Sequence, residues 1–314
     1  MRDMGQRLFG SPASVIGTTI QDWEEITCPL CGIPPRPFAR DYQGFQLCRC
    51  PACHLEFLSP RPTFEELSDH VYNQTYFSEP APAAPLTREQ LYQFSRQIGT
   101  AYRLLGADNK ERRTLLDVGC GDGSFLRHGK ECGWTVAGCD IGLTRTAREV
   151  GCPVWEGQSR GIDFGGLRFD LVRYNHVLEH TQNPLAEIQR SWELLYPGGI
   201  LYVSVPNLAA VSARIKTLQS LLRLKRHRWR HYAAVHHLWF FTPPTLQRLL
   251  EHSGFRVVFW ETPVLKKAQQ NSSLETAYRF LLERSAAAGI IDFYCTPVER
   301  PISASQQAGS KRLR

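Results

Sequence analysis

Apolar and polar positions follow two rhythms along this chain. Nearly continuous apolar runs of strand length recur at Leu115, Leu116 and Val118, and over residues 134–140, 153–156 and 169–174. A further one follows the Pro197-Gly-Gly turn, through Ile200 to Pro206. Between these runs the spacing changes to a helical one. Leu91, Phe94, Ile98, Tyr102 and Leu105 predict a helix over residues 87–107, opened by Thr87 as cap with Gln90 three places on. Helical stretches also follow at residues 126–130 and 144–150. Strands alternating with helices imply an α/β fold, a mostly parallel sheet covered by helices on both faces.

The first strand feeds a glycine turn, Thr114-Leu-Leu-Asp-Val-Gly-Cys-Gly-Asp-Gly-Ser-Phe-Leu126. Glycine has no Cβ, so backbone here can come close to a nucleotide-like ligand. A dinucleotide fingerprint needs G-x-G-x-x-G, whereas Ser124 stands where its third glycine would fall. Asp117, two places before Gly119, would repel a pyrophosphate but can accept hydrogen bonds from loop amides or a ligand ammonium group. Asp140 ends the next strand, 23 residues after Asp117. An acid there can hold both hydroxyls of a ribose, and it can also cap the helix that follows.

Cys28-Pro-Leu-Cys31 and Cys50-Pro-Ala-Cys53 are two C-x-x-C turns separated by eighteen residues. They can place four thiolates around one Zn²⁺ as a closed, structural site. Such a ribbon of about forty residues draws much of its folding energy from the metal. Cys48 is a surplus thiol and His54 a conceivable replacement ligand. Five of the ten cysteines fall within 26 residues in this knuckle-like spacing, which points to metal and a reducing, cytoplasmic compartment rather than disulfides.

Hydrophobic content is 42% and charged content 21%, as in ordinary globular chains, with no apolar run long enough to span a membrane. The net charge of +7 admits an acidic substrate, a nucleic acid or an anionic membrane without choosing among them. Much of it lies in residues 208–235, where seven Lys or Arg occur and no acid. Val211, Ile215, Leu218, Leu221 and Leu222 recur there near helical period. Such a helix can lie on a membrane, close over an acidic or lipid-linked acceptor, contact RNA phosphate, or pack its stripe on the domain as a solvated lid.

The ordered set LLDVGCGDGSFL, VAGCDI, FDLVRYNHVLEH, YPGGILYVSVPN and HHLWFFTPPTLQRLLEHSGF resembles the motifs of class I S-adenosylmethionine-dependent methyltransferases of type 11/23, over roughly residues 112–262. The cysteine turns followed by LEFLSPRPTFEEL resemble the zinc-binding extension of a bacterial subgroup associated with saccharide, lipid or secondary-metabolite modification. The resemblance implies a Rossmann-like seven-stranded sheet whose last strand is antiparallel, with strands six and seven over residues 255–261 and 289–296. Together with periodicity and composition it divides the chain into a lead-in (1–25), a zinc ribbon (26–60), a linker and helical lead-in (61–111), a methyltransferase domain (112–298) carrying the basic helical insertion (208–235), and a disordered tail (299–314). A further inserted helix is expected over residues 274–287.

For the cofactor, S-adenosylmethionine, the resemblance implies that Asp117, Gly119, Gly121 and Gly123 contact the methionine part. Asp140 and Ile141 would serve the ribose, Gln158 the adenine and Asn175 the sulfonium end. Gln158 departs from the more usual Asp, which implies weakened adenine binding. Methyl transfer mainly needs alignment and, where the acceptor is protonated, a base. His176, His180, His236 and His237 are candidate bases. His176, Glu179 and His180 read as one face of a helix just past the fourth strand. A comparable E-x-x-E-H run in ubiquinone-type O-methyltransferases is linked to a divalent metal, but His176 replaces its first Glu here.

The acceptor expected is an O (or C) atom of a saccharide, lipid or specialised metabolite. RNA methylation and a catalytically silent binding module are the competing readings. Against RNA, no N/D-P-P-Y/F/W box follows the fourth strand, and no Pro-Cys dipeptide occurs.

Overall fold

A computed structural model describes residues 14–15, 18–72, 85–106, 113–234, 236–264 and 286–298. The expected tail over 299–314, most of the inserted helix over 274–287, and Pro80 and Pro82 of the linker lie outside them. The sheet grows from Thr114–Val118 (β4), whose successive side chains serve two cores. Leu115 joins a cluster with Ile98, Phe125 and Val136, while Leu116 and Val118 join another with Ala137, Val172 and Val203. A strand buried on both faces needs this apolar run, because helices cover each side.

Around β4 lie Thr135–Asp140 (β5), Val154–Glu156 (β6), Phe169–Asn175 (β7) and Leu195–Pro206 (β8). Ile290–Pro297 (β11) and Phe255–Glu261 (β10) complete seven strands in the order β6-β5-β4-β7-β8-β11-β10. The first five are parallel, and β11 runs antiparallel to both its neighbours. Helices Arg88–Leu105 (α2), Ser124–Glu131 (α3), Arg145–Arg148 (α4), Pro184–Leu194 (α5) and Pro243–His252 (α7) flank it. α2 starts with the capping box of Thr87 and Gln90, worth about 1 kcal/mol. Arg96 of α2 clamps Glu261 and Asp292 on the antiparallel strands.

Two local expectations change. Pro197-Gly198-Gly199 is no turn between helix and strand; it lies within β8 as a bulge, the pairing jumping from Phe169↔Leu195 to Leu171↔Ile200. His176, Glu179 and His180 are not on a helix face. His176 takes a left-handed φ of 55°, Leu178–His180 is one 3₁₀ turn, and the helix waits for Asn183 as cap and Pro184 at its first turn.

The ribbon strands Arg36–Arg40 (β1), Gln46–Arg49 (β2) and Glu56–Leu58 (β3) form an antiparallel sheet. Its fourth strand comes from far along the chain: Trp239–Phe240 (β9) pairs with β3. Phe45, Leu47 and Phe57 share one core cluster with Tyr232, Leu238 and Leu246. Tyr232 donates to Glu56 Oε2 at 2.7 Å, and Glu56 also takes Arg49. The ribbon is thus walled by the basic segment and by the chain leading out of it. Phe64–His70 (α1), capped by Thr63, then leads toward the sheet. Val211–Leu221 (α6) follows β8.

Candidate active site

The carboxyl ends of β4, β5, β6 and β7 open into a cavity of about 480 Å³. This edge is where open parallel sheets bind ligands. The glycine loop is tied to β5 by Gly119 N and Cys120 N donating to Cys139 O, at 2.7 and 3.1 Å. Gly121 has φ 53° and no atom within 4 Å of where a Cβ would stand, so its backbone faces open space. Its N–H donates to Asp140 Oδ2 at 2.9 Å, and Gly142 N donates to Oδ1 at 3.3 Å. Burial pushes the Asp140 carboxyl up, while these amides pull it back.

Gly119, Gly121, Asp140, Ile141 and Gln158 line the cavity. Gln158 Oε1 is engaged by Arg160 Nη2 at 3.1 Å. Three expected contacts fall elsewhere. Asp117 is buried in β4, and its Oδ1 takes Arg173 Nη1 at 2.6 Å. Burial raises its carboxyl to about 6, against the pull of that guanidinium. Gly123 is needed for packing, since a Cβ would stand 2.9 Å from the Ala147 backbone. Asn175 accepts from Gln97 of α2 at 3.3 Å and does not line the cavity. Sequence reasoning passed over Asp122, which caps Ser124 N at 2.9 Å, and the aromatic wall of Phe64 and Tyr72. Only their aromatic character, within a stretch read as linker, could have marked these two.

The cavity also reaches His176, Val177 and His180. Beside them Glu179 is 1% exposed, and neither carboxylate oxygen has a hydrogen-bond partner among the described residues. His176 Nδ1 lies 3.4 Å and His180 Nε2 3.9 Å from Glu179 Oε1. The His180 and His237 rings meet edge-on at 4.9 Å. Burial alone would raise the Glu179 carboxyl, yet the three surrounding imidazoles hold it below the ordinary range. Burial lowers His237 to about 4, so it is neutral at pH 7. His180 Nδ1 sits 2.6 Å from the His236 carbonyl, which can only accept, so Nδ1 carries hydrogen. The other ring nitrogen, Nε2, is the one that faces Glu179. One ligand atom each from Glu179, His180 and His237 lies within 4.8 Å of the others.

Cys28, Cys31, Cys50 and Cys53 likewise bring their sulfurs within 4.8 Å of one another. Turns closed by Gly32 N to Cys28 O and His54 N to Cys50 O shape the two knuckles. Cys48 points away, donating to Ser59 O, and His54 is exposed outside the cluster. Burial raises Cys31 to about 11. For Cys50 burial is outweighed by the Cys53 and Ala52 amides, which bring it to about 7.

A family model described as a methyltransferase domain matches residues 88–259, leaving the cysteine cluster outside. The ubiquinone biosynthesis O-methyltransferase of Dinoroseobacter shibae is 31% identical over 201 residues, 57% of this chain and 75% of that protein. Its counterpart from Ruegeria pomeroyi is 28% identical over 229 residues, 68% and 82% of the two chains. A SAM dependent methyltransferase structure from Archaeoglobus fulgidus aligns at 19% identity and TM-score 0.45, covering 66% of this chain and 94% of the other. With a methyltransferase model spanning more than half of it and O-methyltransferases among its relatives, the chain belongs to the S-adenosylmethionine-dependent methyltransferases.

Proposed function

We propose that the chain methylates a hydroxyl oxygen of a small apolar or lipid-linked acceptor, with Glu179, His180 and His237 at the acceptor end of the cavity. The observation that carries this reading is the buried carboxylate of Glu179 ringed by three imidazoles, with His176 Nδ1 3.4 Å from its Oε1. The O-methyltransferase names of the relatives support the choice of oxygen. Phe64 and Tyr72 suit a flat apolar acceptor.

The cavity fits the cofactor at two points, the open backbone at Gly121 and the carboxylate of Asp140 at the strand end. S-adenosylmethionine supplies a methyl group already activated on a positively charged sulfur. Asp140 would hold the ribose hydroxyls, the Gly119–Gly121 backbone the methionine part and Gln158 the adenine. At the other end the acceptor hydroxyl gives its proton to an imidazole, His180 or His237, as its oxygen gains the methyl group, and Glu179 stabilises the imidazolium that forms. The same three side chains form a donor set for one divalent cation. A cation held there would lower the acceptor hydroxyl's pKa. In the ribbon we assign the four thiolates to one structural Zn²⁺, because they leave no open position.

The test is to incubate the purified chain with methyl-labelled cofactor and a metabolite extract, and to identify what gains label. A labelled methyl ether is expected, and it should vanish in Glu179→Gln while calorimetric cofactor binding stays. Unchanged labelling in that variant would refute the role of the cluster.

A further inference from the structure

α6 carries its apolar row on the outside. Val211, Ile215, Leu218 and Leu222 follow at helical spacing, and with Leu221 and Leu224 they are exposed, Leu221 and Leu222 to 59% and Leu224 to 69%. The one buried side chain of the helix is a polar one, Ser220, which accepts from Trp229 N at 3.0 Å. A lid packed on its own domain shows the reverse, hiding its apolar stripe and exposing its polar face. A contiguous row of this kind marks an interaction surface.

On the side of α6 away from the row, where helical spacing sets Lys216 and Ser220, is a second cavity, of about 470 Å³, lined by Lys216, Lys225, Arg226, Arg230 and the imidazoles of His227 and His231. Residues 208–235 contain no Asp or Glu. Among the described residues none of these four cations is ion-paired. The cavity is braced from behind by Arg228 Nε on Ser220 O at 2.9 Å, His231 Nε2 at 2.9 Å from Thr217 Oγ1, and Tyr42 edge-on to His227. α6 begins five residues past the end of β8, at the sheet edge that also bears the active-site cavity.

We propose that this face docks on an anionic phospholipid bilayer, a headgroup phosphate entering the cavity of Lys216, Lys225, Arg226 and Arg230 while the apolar row of α6 enters the acyl boundary. Four cations without an ion pair among the described residues call for an anion, and the leucines on the other face of the helix call for an apolar phase; an anionic lipid surface supplies both, as for a helix lying flat with its polar side at headgroup depth. A soluble phosphate or an RNA backbone would leave the leucines in water. A second copy of the chain would set the same cations against each other.

The test uses the full chain and vesicles of phosphatidylcholine, alone or with phosphatidylglycerol. Co-sedimentation should require phosphatidylglycerol and weaken with salt. Changing Lys216, Lys225, Arg226 and Arg230 together to Gln should weaken it about tenfold or more. Leu218→Ser with Leu221→Ser and Leu222→Ser should also abolish it at low salt, and both variants should keep the parent's melting temperature and cofactor affinity. Equal sedimentation with both vesicle types overturns the proposal, as does a serine variant that binds like the parent. So does retention on RNA, or a dimer broken by the serine changes, if vesicles are not bound. Vesicle binding by a chain that binds no cofactor would keep this proposal and sink the methyl-transfer reading, so the two fail separately.

Discussion

Among the described residues two clusters of ligating side chains stand out, and they are built in opposite ways. In the ribbon, four sulfurs come from two local turns, three of the four cysteines are buried, and neither of the two cavities described above is lined by them. In the sheet, Glu179 and His180 come from a strained turn after β7 and His237 from the approach to β9, at the edge of a large cavity. A complete, closed donor set has only folding to contribute, whereas an incomplete set beside a cavity has room for a reacting atom. Burial alone does not separate them, since Glu179 and three of the four cysteines are all buried.

The largest effect should follow from breaking the closed cluster. Cys50→Ser should lose its one equivalent of zinc and about 4 kcal/mol or more of stability, because the ribbon shares a core with the sheet. Metal analysis with thermal unfolding checks this, and an unchanged melting curve would erase the contrast. Glu179→Gln should do the opposite, slowing methyl transfer by about 10²–10⁴-fold without lowering the melting temperature, as single-turnover kinetics and calorimetry would show. Asp140→Ala, outside both clusters, should weaken cofactor binding by roughly ten- to a hundredfold in titration calorimetry and leave zinc content alone.

The smallest effect is a pH dependence. His237 titrates near 4 in the folded chain and near 6.5 when unfolded. The unfolded chain therefore binds more protons between these values, so the stability from neutral His237 is full above pH 6.5 and lost as pH falls toward 4. Partial exposure limits it to about 1–2 kcal/mol. Denaturant unfolding at pH 7 and pH 5 should show a smaller difference in His237→Gln than in the parent.

What was legible in the residues is what is local. Strand, glycine loop, helix and Asp140 lie within one short stretch, and β10 and β11 come within a residue of their expected bounds. The knuckles are legible because each C-x-x-C pair belongs to one turn. Pairings set by register between distant strands are not. Asp117 looked free for a ligand because nothing nearby marks Arg173, which parallel register sets directly opposite it. Periodicity likewise shows that α6 has an apolar stripe without showing which way it faces. The helix expected at His176 failed for a physical reason: Asn183 and Pro184 offer a better helix start seven residues later.

The strand β9 has a consequence for the order of assembly. Phe57 and its partner Trp239 lie about 180 residues apart in the chain, so the ribbon sheet cannot be completed until Trp239 has been made. An amino-terminal module ordinarily folds first during synthesis. Here the ribbon strands are made well before the strand that completes their sheet, and until then the edge of β3 stands open to pairing with another nascent chain.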